Sequence, residues 1–252
     1  MGLQKHSMIQ GRFTLSWLML VLCSVFGTVS AKAQVLTPTP QELTEIQARA
    51  NAGNARAEHD LAELYKWGQG VKQNYAEAVK WYTKAAEQGD ADSELNLGYA
   101  YQTGSGIKKS EKEAAKWFEK AAEQGIMVAE DSIGAAYLYG KGVRKDEVAA
   151  AHYFGKAAEQ GDGDAMMALG SMYWFGQGVS SDLVTAYMWM LLGEKFGSVE
   201  TALRENPPFV DVPSMRHDLM RVMTEPEFSE GKELADAWLA KHPQLIPTKL
   251  KK

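Results

Sequence analysis

Apolar and small residues along this chain fall into columns that recur every 36 residues. Gly53, Gly89, Gly125 and Gly161 set the period, and Gly197 continues it. Between them the copies align without a gap. Leu61, Leu97, Ile133 and Leu169 form one column, and Tyr65, Tyr101, Tyr137 and Tyr173 form another. Gly68, Gly104, Gly140 and Gly176 are followed two residues later by Gly70, Gly106, Gly142 and Gly178, and then by Val71, Ile107, Val143 and Val179. Ala78, Ala114, Ala150 and Ala186 align, as do Trp81, Trp117, Tyr153 and Trp189. The pairs Ala85-Ala86, Ala121-Ala122 and Ala157-Ala158 close the unit. Self-similarity at a fixed period of this size marks a stacked-repeat architecture.

Each unit predicts two helices. In the second, Asp90 is placed as an N-cap and Leu97 and Tyr101 follow at i, i+4 on one apolar face. Gly104-Ser105-Gly106 ends that helix, because paired glycines accept a φ > 0 turn. The next helix opens at Ser110 with Glu113 three residues on, a capping-box spacing that Asn74 and Glu77 repeat; Asp146 and Asp182 hold the same position later. It carries Ala114, Trp117, Phe118, Ala121 and Ala122 and stops at Gly125. One helical hairpin cannot bury such a face, whereas stacked hairpins can. The fold class is therefore all-α, a solenoid with nearest-neighbour interfaces. Its units run 53–88, 89–124, 125–160 and 161–196. Thr39-Pro40-Gln41-Glu42 opens a capping helix within 34–52. Over 197–243 the repeat decays: Pro207, Pro208 and Pro213 form a break, a short helix runs from Ser214, and Thr224-Glu225-Pro226-Glu227 opens a last helix with Phe228, Ala235, Trp238 and Leu239 that stops near His242-Pro243. Residues 244–252 are a basic tail.

The first residues read differently. Lys5 and Arg12 precede an apolar run from Phe13 to Val29, and Ala31-Lys32-Ala33 supplies small residues for cleavage before Gln34, so residues 1–33 read as a secretory signal. An uncleaved membrane anchor stands beside that reading, although Thr14, Ser16, Ser24 and Thr28 leave the run short of the roughly 20 apolar residues of a span. Lys5 and Arg12 stay on the cytoplasmic side under both readings, so the body is exported, to the periplasm or beyond it, and is not inserted in the membrane once the signal is cleaved. Cys23, the one cysteine, lies in mid-run behind the large Leu22, which argues against lipid attachment.

Loss of residues 1–33 removes three basic and no acidic side chains, moving the net charge from −5 to −8. A mildly acidic body without a basic stripe argues against nucleic acid or anionic membrane as the partner. No cysteine remains to form a disulfide. His6 lies in the signal, and His59, His152, His217 and His242 have no ligand-type spacing, so no metal is expected. There is no His-Glu-x-x-His, Gly-x-Ser-x-Gly, or Ser-x-x-Lys with its partner motifs. The Gly-x-Gly pairs lack the third glycine of a dinucleotide fingerprint and follow no strand. Asp and Glu follow cap and surface periodicities. No cofactor and no catalytic residue are expected. Lys72, Lys108-Lys109 and Arg144-Lys145 read as a solvated rim, or alternatively as a docking edge for an acidic partner.

The pattern Ala-x3-Leu-Gly-x2-Tyr-x2-Gly-x-Gly-Val, an Asp-type cap, Ala-x2-Trp and a closing Ala-Ala-x2-Gly resembles the Sel-1-like repeat, a relative of the tetratricopeptide repeat. Gly98, Gly134 and Gly170 fill its helix-contact glycine, with Ala62 in the first copy; the fourth copy has Gly193-Glu194 in place of Ala-Ala, like the terminal repeat of bacterial members. The resemblance covers about residues 53–196. It implies a right-handed superhelix that serves as a protein–protein interaction scaffold, often in the bacterial envelope. Some cysteine-rich relatives are linked to β-lactam binding; this chain lacks their cysteine pairs.

In such solenoids the first helix of each unit lines the concave groove, and its non-repeat positions meet the partner. Mapped here, these are Arg56, His59, Glu63, Lys66 and Trp67 in unit one and Asp92, Leu95, Tyr99 and Gln102 in unit two. Unit three gives Asp131, Leu138 and Tyr139, and unit four Asp164, Met167, Trp174 and Phe175. The aromatic residues Trp67, Tyr99, Tyr139, Trp174 and Phe175 are the natural anchors. Trp67, Tyr139 and Phe175 share a column beside the glycine turn, where packing under the turn is the competing role. The expected function is a non-catalytic envelope adaptor holding a peptide or protein segment. The alternatives are a secreted or surface-displayed factor binding a host protein, and a cell-wall or β-lactam hydrolase.

Overall fold

A computed structural model describes residues 37–197 and 212–246. The signal read over 1–33, Cys23, Pro207 and Pro208, and residues 247–252 of the basic tail lie outside the described residues. Within them the chain forms eleven α-helices and no strand. Helix α1 (Pro40–Asn51) precedes four hairpins: α2 (Ala55–Trp67) with α3 (Tyr75–Glu87), α4 (Ala91–Thr103) with α5 (Glu111–Glu123), α6 (Met127–Tyr139) with α7 (Glu147–Glu159), and α8 (Gly163–Phe175) with α9 (Leu183–Phe196). Helices α10 (Val212–Val222) and α11 (Glu225–Lys241) follow, so α10 begins two residues before Ser214. Each helix packs on its chain neighbours from α1 to α9, and α10 and α11 both pack on α9. This is the α-solenoid that the columns predict.

The helix starts follow from short polar side chains. Asn54, Asp90 and Asp162 cap first helices, and Asn74, Ser110, Asp146 and Asp182 cap second helices, each accepting from backbone N–H groups two or three residues on. Unit three has Ile126 at the first-helix cap, with no side-chain hydrogen bond. The Thr39–Glu42 box closes in both directions. The boxes expected at Asn74 and Ser110 form only their first half. Glu77 instead pairs with Lys80 at 2.5 Å and Glu113 lies 3.9 Å from Lys116, because a lysine one turn along competes for each carboxylate.

First helices end in left-handed glycines, Gly68, Gly104, Gly140 and Gly176, with φ between 67° and 80°. The second glycine of each pair serves the preceding unit. Gly106, Gly142 and Gly178 press on the backbone at the starts of α3, α5 and α7, leaving no room for a Cβ. Within units, Gly98, Gly134 and Gly170 give way to Phe118, Phe154 and Met190. Leu61, Leu97, Ile133, Leu169 and the alanine pairs fill the core. On the second helices Lys84 lies 3.9 Å above the Trp81 ring and Lys120 4.3 Å above Trp117, sheltering aromatic area that the stack leaves partly open.

Both ends of the core are covered. Leu43, Ile46 and Ala50 of α1 pack on Ala57, Leu61 and Leu64. At the other end Trp238 of α11 sits edge-on to Trp189 and Phe196 at 6.1 and 5.5 Å, and Gly231 lets α11 approach Val184 and Tyr187.

Candidate protein-binding face

Helices α2, α4, α6 and α8 lie side by side, and side chains bridge α2 to α4. Arg56 pairs with Asp60 at 3.2 Å and with Asp92 at 3.6 Å. Lys66 reaches Glu63 at 3.2 Å and donates to Asn96 at 2.8 Å. Glu63 also accepts from the Trp67 indole at 2.7 Å and from the Tyr82 hydroxyl. Burial opposes ionisation of Glu63, but the Tyr82 and Trp67 bonds and the Lys66 charge outweigh it and hold the carboxyl below its ordinary range. Burial and the Glu63 carboxylate together raise the Tyr82 phenol above its usual value.

His59 is not on the open face. It is 7% exposed, with Nδ1 3.0 Å from the Ser93 hydroxyl and 3.3 Å from Asp90. Serine, histidine and carboxylate thus meet, but both partners sit on the same ring nitrogen, so the imidazole cannot relay a proton between them. Leu138 and Met167 are likewise buried: Leu138 packs in the cluster with Leu169, and Met167 against Tyr187 and Met190. The adjoining unit covers His59 and Leu138, whereas Met167 is covered by α9 of its own unit and by Leu219 of α10.

The remaining mapped residues are accessible in part or in full. Trp67 and Phe175 are each 59% exposed, which sets aside packing beneath the turn as their main role, and Tyr139 and Tyr99 are 39% and 37% exposed. Tyr99 stands edge-on to Phe118 at 5.2 Å, and Trp174 stacks on Phe175 at 4.8 Å. Arg56, Asp92, Gln102 and Asp164 are exposed, while Glu63, Lys66, Leu95, Asp131 and Trp174 are half-buried. Asp131 is reached by solvent yet hemmed in by protein. Burial, with the Asp162 and Asp164 charges, pushes its carboxyl up to about 7.

One polar column read as surface is in fact buried. Glu58, Glu94 and Glu130 are 3%, 4% and 0% exposed and accept from Gln88, Gln124 and Gln160 at 2.6, 2.7 and 2.6 Å. Lys156 adds an ion pair to Glu130 at 2.8 Å. In unit four the equivalents are Met166 and Phe196, an apolar pair in place of a polar one. That paired change was readable from the repeat: two columns that lose their polar residues together share a contact. The column ties first helix to second and is structural.

On the side of the second helices a cavity of about 650 Å³ opens at Gly155, lined by His152, Lys156, Tyr173 and Trp189 among others. Among the described residues no group of three or more His, Cys, Asp or Glu is placed to hold a metal, and no helix is long and apolar enough to cross a membrane.

No curated protein matches this sequence. Among solved structures, a protective antigen of uropathogenic Escherichia coli with an SLR fold matches with a TM-score of 0.67 and 31% identity, over 94% of this chain and 48% of that one, so the chain spans about half of its length. A Sel1 repeat protein from Oxalobacter formigenes matches with a TM-score of 0.62 and 33% identity, over 81% of this chain and 78% of that one. The Sel1 repeat itself matches residues 55–90, 91–126, 129–162 and 163–193, more than half of the sequence, and the chain belongs to the Sel1-repeat family.

Proposed function

We propose that this protein is an exported, non-catalytic adaptor of the cell envelope that holds an extended or helical segment of a partner protein on the face formed by α2, α4, α6 and α8. Sel1 repeats generally mediate protein interactions, and solenoids of this family are generally non-catalytic. The observation that carries the reading is the exposure of Trp67, Tyr99, Tyr139 and Phe175 along one row of helices whose core positions are already filled. Exposed aromatic side chains offer large contact area at low entropic cost, which is what interface anchors need. The test is replacement of Tyr99 and Trp174 together by Ala. Partner capture is expected to be lost while helix content is kept; capture that survives overturns the assignment.

A second reading is favoured by one observation, the likeness to a protective antigen. Under it the protein is surface-displayed or released and binds a host protein. Both readings use the same face. Cell fractionation separates them: recovery in the periplasm supports the adaptor, and recovery at the surface or in the medium supports the second.

A further inference from the structure

The α2–α4 and α6–α8 junctions can be compared residue by residue, because the repeat carries each position of one onto the other. Asp90 and Asp92 of the first junction become Asp162 and Asp164. Their partners do not survive the shift. Arg56, which pairs with Asp92, becomes Val128; His59, which faces Asp90, becomes Asp131; and Lys66, which donates to Asn96, becomes Leu138. The later junction therefore keeps the carboxylates and has lost every cation. Helices α6 and α8 contain no Lys, Arg or His, and among the described residues no cation pairs with Asp131, Asp162 or Asp164. Burial raises the Asp131 carboxyl, and the neighbouring Asp162 and Asp164 charges add to it.

An aromatic shelf lies on the same stretch. Phe175 lies eleven residues after Asp164, about three helical turns on and so back on the same face, and Trp174 stacks on it. At about 1.5 Å per residue the two features are about 15 Å apart.

We infer that the α6–α8 half of this face seats a basic segment of a partner protein, with a Lys or Arg side chain among Asp131, Asp162 and Asp164 and an apolar side chain on the Trp174–Phe175 shelf. This rests on the proposed use of the first-helix face and names the chemistry of its occupant. The incoming cation supplies from the partner the pairing with Asp164 that Arg56 makes with Asp92 at the first junction. An extended chain advances about 3.3 Å per residue, so the cation and the apolar side chain stand about four to five residues apart.

The probes are fluorescein-labelled 12-residue peptides of Ser and Gly carrying one Lys and one Trp at separations of two, four, five and eight, and a set with Glu in place of Lys. Anisotropy is read with the full-length chain at concentrations up to about 1 mM. The Lys peptides with separations of four and five are expected to bind at least ten-fold more tightly than their Glu counterparts. Asp131→Asn with Asp164→Asn should abolish that preference while raising the melting temperature, since it relieves repulsion; a merely structural role would not move the two readouts in opposite directions. Equal binding of Lys and Glu peptides, lost in Trp174→Ala, overturns this inference and leaves the first-helix face in use. Lys-peptide binding that neither the Asp nor the Trp174 changes affect overturns both. Absence of binding by every peptide overturns the inference alone, because partner capture tests the face independently.

Discussion

Gly178 lies directly against the backbone carbonyl of Glu147, the first residue of α7, so the turn of unit four is seated on the helix start of unit three. Gly142 on Glu111 and Gly106 on Tyr75 repeat the relationship. These glycines are both turn residues and the contact surface between units. Gly178→Ala meets strained backbone at φ 68° and a clash with main chain that cannot move aside, and should cost about 2–4 kcal/mol. Gly89→Ala, at φ 86° with open space around it, meets only the first penalty and should cost about 1–2 kcal/mol. Urea unfolding of both variants measures the difference; equal costs would show that the seating is loose.

Glu94 is buried, and burial raises its carboxyl above the ordinary value, an effect that the Gln124 hydrogen bond and the Lys120 charge partly offset. Gln124→Ala removes the donor and should destabilise by about 1.5–3 kcal/mol, the usual range for a hydrogen bond to a charged group. Adding Glu94→Met to Gln124→Phe, the pairing unit four already uses at Met166 and Phe196, should recover most of that loss. Failure of the apolar pair to recover stability would mean that the two columns are not interchangeable contacts.

The Asp131 carboxyl, raised to about 7 from 3.8, makes a signed prediction. The folded state binds its proton more tightly than the unfolded state, so the contribution is full below about pH 4 and is lost as pH rises to 7. The melting temperature should therefore fall between pH 5 and pH 8. Each 1 kcal/mol lost corresponds to about 2–4 °C at this size. Asp131→Asn should flatten that fall and melt higher at pH 8. A wild-type profile unchanged by the substitution would place Asp131 in open water.

Much of the fold was legible in sequence because its information is periodic. Leu97, Tyr101 and the paired glycines occupy equivalent places in every unit, so the columns fix helices, turns and core together. The face was only partly legible. A constant offset along each first helix placed Tyr99 and Phe175 outside but also named His59 and Leu138, which the next unit covers, and Met167, which α9 and α10 cover. Whether a position at the edge of that row is covered depends on how adjoining units meet, which no single unit encodes. Glu58, Glu94 and Glu130 were missed for another reason: glutamate in a helix is ordinarily solvated, and its burial here depends on a glutamine 30 residues away.

The central claim is that partners dock on the first-helix face, and in-cell crosslinking read by mass spectrometry tests it most directly. Crosslinks to one partner are expected from residues beside Asp92, Tyr99, Tyr139 and Trp174, and they should vanish in the Tyr99→Ala, Trp174→Ala variant. Crosslinks that instead gather around His152 and Gly155 on the second helices, and persist in that variant, would contradict the account.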